Sequence, residues 1–271
     1  MKSELSELEL IEVKRYAKEK LGLCRKGNDI IGTQIFSILR IYGRVIYYPL
    51  GLDAPWGFTR ISGSKNDTFS KKPFVAINSS IPIDCQVFAA AHELYHIWYE
   101  HIPNVLPSDL LNEKDKKIRE KKANRFAAEF LVDEILLKQE IEIYNIKRFS
   151  LKNVLKLSEL FVVPYKTMVK RLYEIKAINE EEFEVLVDVS EDDLEIGKKK
   201  YSISSYKQDE KIVLDNLVEL AVNAYEAGYI AYEKLEYLLE LSKLKPIELG
   251  IKEKEKIEFP ADEELDSIME E

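Results

Sequence analysis

Residues 90–96 read AAHELYH, in which His92 and His96 are the histidines of an H-E-x-x-H pattern. Residues i and i+4 of a helix lie on one face, about one turn apart. Both imidazoles can therefore reach one ion at the roughly 2.0–2.1 Å that zinc requires. Glu93 lies about 100° around the helix from His92. That position is too displaced for easy ligation, but it suits a general base that holds and deprotonates a water molecule.

Apolar residues flank this pattern on both sides. The segments VFAAA at residues 87–91 and IWY at residues 97–99 predict a helix that is at least half buried. Two buried, adjacent imidazoles need a polar partner, and a shared metal ion is the simplest one. The alternative, a pair of surface histidines on an amphipathic helix, does not account for the apolar flanks.

A downstream carboxylate is the third candidate ligand. Catalytic zinc sites usually have three protein ligands and one open position. Glu120 follows His96 by 24 residues, after a break at Pro103 and Pro107, on a helix that could pack back against the first. Asn124 is one turn further on the same face, where it could hydrogen-bond a ligand imidazole and fix its orientation. A solvated charge is the alternative for Glu120, and rival third ligands are Glu129, Glu113, Asp109 and His101.

Composition predicts a soluble protein without membrane or bulk nucleic-acid association. The 271 residues carry a net charge of −9, from 40 Lys and Arg against 49 Asp and Glu. No apolar run approaches the roughly 18 residues that a membrane span needs. The acidic start, MKSELSELE, does not resemble a secretory signal. The two cysteines form no spaced pair that would predict a disulfide framework. We therefore expect a cytoplasmic protein.

The hydrophobic pattern predicts an α+β fold that is mostly helical. Helices are predicted at residues 4–23 and 27–42, around the H-E-x-x-H pattern, and from the charged stretch 108–121 through about residue 139. Runs rich in β-branched and aromatic residues predict a small three-stranded sheet, with strands at residues 44–49, 56–61 and 74–78.

The chain divides by composition into four predicted regions. Residues 1–146 contain both metal-binding motifs, and residues 147–178 predict a helix, a tight turn and a second helix. Residues 179–210 are interpreted as an acidic, linker-like segment. Residues 211–271 predict a C-terminal helical region, broken at Gly228, with a charged tail. The second region is basic, which a DNA-recognition helix and a bracing role for the core explain equally well. Because the whole chain is acidic, we do not expect direct nucleic-acid binding.

Residues 120–131 read EKKANRFAAEFL and resemble a motif of the ImmA/IrrE family of zinc metallopeptidases. That family motif has the form E-x-x-A-[ND]-x-F-A-x-x-[LF]-L and follows an H-E-x-x-H pattern with a small, apolar helix start. The resemblance covers about residues 8–175 and implies a zincin-like metallopeptidase core followed by a helix-turn-helix-like unit. It implies zinc ligation by His92, His96 and Glu120, with Glu93 as the catalytic base.

Two positions depart from the family pattern. The family often has Gly before the second His, where this chain has Tyr95, and often ends the second motif in Met-Pro, where this chain has Val132-Asp133. Neither position is a ligand, so the departures concern the shape of the cleft rather than the chemistry. The stabiliser of a developing oxyanion would have to be a Tyr or an Arg, and Tyr95, Tyr99 and Arg60 are the candidates.

The pattern and the resemblance together predict a zinc-dependent endopeptidase that cleaves a protein. The resemblance implies a helix-turn-helix transcriptional repressor as the substrate, cut to release stress-response or mobile-element genes. The alternative is a regulatory binding protein, an antitoxin or anti-repressor, with a structural or vestigial zinc site. The intact Glu93 favours catalysis, because a structural site has no need of a general base and normally closes with a fourth ligand.

The separate leucine pattern of residues 205–271 predicts a recognition or regulatory unit that does not build the site. We accordingly expect truncation near residue 200 to leave zinc content and a cooperative thermal transition intact. An insoluble or non-cooperative product would show that this leucine pattern belongs to the core instead.

Overall fold

The computed structural model describes residues 5–60, 72–99, 113–203, 213–214 and 216–252. The chain forms two compact units, residues 1–215 and residues 216–271. The helices of the first unit are α1 (Glu7–Leu23), α2 (Ile35–Tyr42), α3 (Ile83–Tyr99), α4 (Glu113–Leu131), α5 (Glu134–Ile143), α6 (Leu151–Phe161), α7 (Tyr165–Glu174), α8 (Glu180–Val187) and α9 (Glu191–Lys200). Its strands are β1 (Arg44–Tyr48), β2 (Gly57–Arg60), β3 (Phe74–Asn78) and β4 (Val213–Leu214). The predicted α+β, mostly helical fold is confirmed.

In the described part of the chain, one mixed sheet has the strand order β2-β3-β1-β4. β1 and β3 are parallel, whereas β2 pairs with β3 and β4 pairs with β1 in antiparallel fashion. The three predicted strands are present. The two-residue strand β4 was not predicted, because so short a segment has no periodicity of its own and becomes a strand only by pairing with β1. Helix α3 packs against β2 and β3.

The centre of the first unit is the contact between α3 and α4. The two helices are in contact, and both bury small residues, Ala90 and Ala91 of α3 and Ala123 and Ala127 of α4. At the end of α3, the Trp98 ring meets two α4 rings edge-on, with centroids 5.9 Å from Phe126 and 5.7 Å from Phe130. This packing fixes α4, the helix that carries Glu120, beside the H-E-x-x-H helix.

The predicted helix, tight turn and helix at residues 147–178 are present as α6 and α7. The prediction for residues 179–210 differs from the structure, because most of that stretch forms α8 and α9 instead of a linker. Phe183, Leu186 and Leu194 of these helices are buried in the same core cluster as α3 and α4. The acidic residues that suggested a linker occupy the first turns of both helices, where their negative charge stabilises the helix by interacting with its dipole.

Two predicted helix boundaries also differ. The second helix starts at Ile35 rather than residue 27, because Gly32 adopts φ +48° and only a short 3₁₀ turn precedes α2. The helix predicted to run through residue 139 is interrupted after Leu131. Asp133 accepts hydrogen bonds from the Ile135 and Leu136 amides and so begins α5 as a new helix.

The second unit contains α10 (Leu217–Glu226) and α11 (Tyr232–Glu240), followed by a 3₁₀ turn at Pro246–Leu249. The predicted break at Gly228 is confirmed, and this glycine adopts φ +76°. The buried core of the unit consists of Ala221, Tyr225, Leu235 and Leu239. Most of the predicted charged tail, residues 253–271, lies outside the described residues. No helix in the described ranges is both long and apolar enough to cross a bilayer.

The structure moves the expected truncation point from residue 200 to residue 215. A fragment of residues 1–215 is expected to unfold cooperatively near the melting temperature of the full chain. A fragment of residues 1–200 loses β4 and the core contacts of Ile203, a loss of about 2 kcal/mol that should lower its melting temperature by roughly 4–8 °C. Thermal unfolding followed by circular dichroism separates the two. Aggregation of the 1–215 fragment would contradict the two-unit division.

Candidate metal and active site

Three potential ligands converge between α3 and α4. The Nε2 atoms of His92 and His96 are 3.0 Å apart. Carboxylate oxygens of Glu120 lie 3.1 Å from His92 Nε2 and 3.8 Å from His96 Nε2. Two of the three groups come from adjacent turns of α3, and the third arrives from α4. The structure therefore brings together the two histidines and the carboxylate that the sequence analysis considered together.

A hydrogen bond from α4 sets the orientation of the His92 ring. His92 Nδ1 lies 2.9 Å from Asn124 Oδ1. Because an amide oxygen only accepts hydrogen bonds, Nδ1 carries the proton and donates it, which leaves a lone pair on Nε2. The predicted contact between Asn124 and a ligand imidazole is thus present in the structure.

The donor set fits a tetrahedral zinc ion. Ligand atoms about 2.0–2.1 Å from one tetrahedral ion are about 3.3 Å from each other, close to the separations of the three groups here. All three ligand atoms lie within 4.8 Å of one another. His92 Nε2 and the Glu120 carboxylate both offer lone pairs at 3.1 Å, and a shared cation resolves that repulsion. Within the described ranges no fourth His, Cys, Asp or Glu joins the group, so the set resembles a catalytic site with an open position.

Of the four rival third ligands, only Glu129 has a side chain within the described part of the structure. Glu129 is buried and accepts a hydrogen bond from Arg171 at 2.8 Å, while Arg125 pairs with its other oxygen. His101 and Asp109 lie outside the described residues. Glu113 begins α4, and its side chain is likewise outside the description.

Glu93 is buried directly behind the two histidines, against the edge of the sheet. Its side chain is only 4% exposed. Burial raises the pKa of the Glu93 carboxyl above its ordinary value, while the neighbouring His92 partly opposes that rise. The carboxylate packs against β2, where a Cβ atom added to Gly57 would lie 3.2 Å from Glu93 Oε1. The absence of a side chain at Gly57 therefore leaves the space that Glu93 occupies.

Sequence reasoning missed Gly57, since it precedes Glu93 by 36 residues and no motif spacing connects the two positions. The oxyanion candidates Tyr95 and Tyr99 belong to an aromatic cluster with Phe126. The Tyr99 hydroxyl donates to the Tyr16 carbonyl oxygen at 3.2 Å. Arg60 ends β2 and is exposed. Both tyrosines therefore have a packing role in the structure.

A cysteine nucleophile does not explain the site. Cys85 is on α3, two turns before His92, and burial raises the pKa of its thiol to about 12. A thiol with that pKa is protonated at neutral pH and is a poor nucleophile. Cys24 is a free thiol at the end of α1, and burial raises the pKa of this thiol as well.

The ligand geometry predicts the effect of removing each α4 contact on metal affinity. The purified chain should hold about one zinc ion, measured by elemental analysis. Glu120→Ala removes a ligand and should weaken zinc affinity by about 100-fold or more. Asn124→Ala leaves the ligands but frees the His92 ring, which should cost about 10–100-fold. Affinity is measured by competition with a chromophoric chelator.

Asp115→Ala is the matched control, because Asp115 is exposed on the same helix and away from the ligand group. It should bind zinc as the parent does. Full zinc affinity in a folded Glu120→Ala variant would refute the assignment of Glu120 as a ligand.

Comparison with known proteins identifies the region that contains this site. Residues 47–173 match the family model of the IrrE N-terminal-like domain, peptidase family M78. Searches of curated proteins and of solved structures gave no significant match. The matched region begins within β1, ends near the end of α7 and contains both metal-binding motifs. The resemblance seen in the sequence is confirmed over this region. Residues 47–173, just under half of the chain, are therefore similar to the IrrE N-terminal-like domain of peptidase family M78.

Proposed function

We propose that the chain is a zinc-dependent endopeptidase. The observation that carries this proposal is the combination of a three-ligand group with a buried carboxylate beside it. His92, His96 and Glu120 form a ligand set without a fourth protein ligand among the described residues. Glu93 is adjacent in sequence to a ligand but is not part of the ligand group. Its carboxyl is buried, and we assign to it the deprotonation of the reacting water. A structural metal site requires neither feature.

The ligand residues would hold zinc, which when bound polarises a scissile carbonyl and lowers the pKa of a water molecule. Asn124 accepts the Nδ1 proton of His92, so the Nε2 lone pair of this ring would be available to hold the ion. Glu120 is the most exposed of the three ligands, with 59% of its side chain accessible. The site therefore opens toward solvent on the α4 side, where a substrate can approach.

Glu93 performs the proton transfers. Its carboxylate accepts a proton from the water that attacks the scissile carbonyl carbon, and then delivers this proton to the nitrogen of the leaving amine. The raised pKa of the Glu93 carboxyl supports the first step, because a carboxylate with a higher pKa is a stronger base toward the water proton. Packing against Gly57 confines the carboxylate to this position.

We further propose that the substrate is a helix-turn-helix transcriptional repressor, cut in the cytoplasm to derepress stress-response or mobile-element genes. The support is the resemblance of both motifs to ImmA/IrrE proteins and the match to the IrrE N-terminal-like family. The acidic net charge of −9 also favours a protein substrate over DNA itself.

The role of Glu93 predicts the behaviour of Glu93→Gln. The amide cannot accept the water proton, so cleavage of a peptide library should fall by about 100-fold or more. Zinc content and the thermal transition should remain those of the parent, since Glu93 is not a ligand. The control Glu142→Gln makes the same change on the exposed surface of α5 and should cleave as the parent does.

A repressor–reporter assay in cells separates the two functional hypotheses. The parent should release a co-expressed candidate repressor from its operator, and Glu93→Gln should not. Equal derepression by both proteins would favour sequestration by an antitoxin or anti-repressor and contradict the peptidase.

The packing of Gly57 predicts a second effect on activity. In Gly57→Ala the new methyl group meets Glu93 Oε1 and the Ala76 carbonyl oxygen, each at 3.2 Å. Displacement of a catalytic group by about 1 Å can cost up to about 100-fold, so we expect cleavage to fall at least tenfold while zinc content is retained. Gly22→Ala is the control, because nothing lies within 4 Å of its added Cβ. Parental activity in Gly57→Ala would show that β2 does not position the base.

A further inference from the structure

A large open groove lies beside the metal site within the first unit, and its volume is about 2140 Å³. One wall is formed by residues of α3 and α4. Another wall is formed by α7, α8 and α9, the helices that the sequence pattern had assigned partly to a linker, and residues of α1 and α6 complete the lining. The helices that carry the site and the helical region that follows them thus share one concave surface.

The groove borders the ligand residues but is lined by their neighbours rather than by the ligands themselves. Phe88 lines it and stands one turn before His92 on α3. Asn124 also lines it and accepts the hydrogen bond of His92. Trp56, which precedes β2, meets the Phe88 ring edge-on with centroids 6.3 Å apart. The groove therefore lies within one helical turn of the metal site.

The size of the groove indicates a polypeptide occupant. Pockets for small molecules occupy roughly 300–1,000 Å³, so the volume here is at least about twice that of a site built for a metabolite. Solvent-exposed side chains, such as those of Lys166 and Lys170, also line the groove, so it is open to solvent. A chain segment can lie in it without threading through a closed cavity.

The lining of the groove has two kinds of residue. Apolar side chains form the inner surface, among them Phe88, Ala128 and Val162. Charged side chains surround them, including the exposed Lys170 of α7 and Glu195 of α9. This arrangement complements an amphipathic segment, which presents apolar side chains to the inner surface and polar side chains to the rim.

A buried ionic cluster holds the two walls together. Arg171 of α7 is fully buried and donates to Glu129 of α4 at 2.8 Å and to Glu174 at 2.7 Å. It also donates to the Val132 carbonyl oxygen from two nitrogens, at 3.1 and 2.9 Å. Arg125 of α4 pairs with both glutamates. The distance between the walls is therefore fixed before a ligand arrives, which lowers the entropic cost of binding.

We propose that this groove binds an amphipathic segment of the protein substrate that flanks the scissile bond, so that α7–α9 select the substrate. This inference rests on the proposed peptidase function and assigns recognition to residues outside both metal-binding motifs. It gives the helical region after residue 150 a binding role as well as a structural one.

Cleavage of peptides of two lengths tests the proposal. Three residues on either side of the bond span at most about 10 Å, so hexapeptides reach little of the groove, whereas peptides of about 20 residues can fill it. The probe is a tryptic digest of a bacterial lysate, divided into a short and a long pool and incubated with the zinc-loaded full chain. Thr167→Trp places a bulky ring in the groove from α7. We expect it to lower the ratio of long- to short-peptide cleavage about tenfold, equivalent to about 1.4 kcal/mol.

Lys170→Trp is the second variant, because Lys170 is exposed and its replacement should fold even if Thr167→Trp does not. Lys156→Trp is the matched control, since Lys156 is exposed on α6, lies outside the groove lining and loses the same charge. An unchanged length ratio in a folded groove variant would overturn the groove assignment and leave the peptidase intact. If neither pool shows cleavage that disappears in Glu93→Gln, the proposed function fails, and the groove inference fails with it.

Discussion

The close contact between α3 and α4 is the constraint on which the site depends. Neither helix holds a complete ligand set, because a single helix face offers two adjacent turns and the third donor must come from elsewhere. Both helices bury alanines, Ala90 and Ala91 on α3 and Ala123 and Ala127 on α4, and small side chains permit close helix packing. The buried rings of Trp98, Phe126 and Phe130 then fix the position of α4 along α3. Glu120 and Asn124 consequently reach the same imidazole from successive turns of α4.

The same helix α4 connects the site to the region that follows it. Its face away from α3 carries Arg125 and Glu129, which pair with Arg171 and Glu174 of α7. Buried charges are costly to desolvate and contribute little net stability, but removal of one partner leaves an uncompensated charge that costs about 3–5 kcal/mol. An arrangement of this kind tolerates few alternatives, so it specifies where α7 sits relative to α4. The groove wall and the ligand helix are thereby positioned by one cluster.

The surroundings of Glu93 illustrate a different constraint. A general base must be ionised and mobile enough to transfer a proton, yet held at one place. Burial between α3 and the edge of the sheet holds the carboxyl and raises its pKa. The buried carboxyl lies next to Gly57, where the lack of a side chain leaves room for it. The strand β2 thus contributes to the site through the room it leaves rather than through a functional group.

The sequence by itself determined which residues are the candidates for the chemistry of this protein. Local spacing places His92 and His96 on one helix face and Glu93 beside them, because helical periodicity is a short-range property that a seven-residue pattern fully contains. The second motif identified α4 and its Glu120 and Asn124, and runs rich in β-branched and aromatic residues predicted β1, β2 and β3. Only the tertiary structure decided which carboxylate joins the histidines, since the rival Glu129 proved to be paired with Arg171. It also showed that Gly57 borders Glu93, that β4 completes the sheet, and that residues 180–200 are packed helices. Each of these features depends on contacts between segments that are far apart in the chain. The periodicity of one segment contains no information about which other segment packs against it.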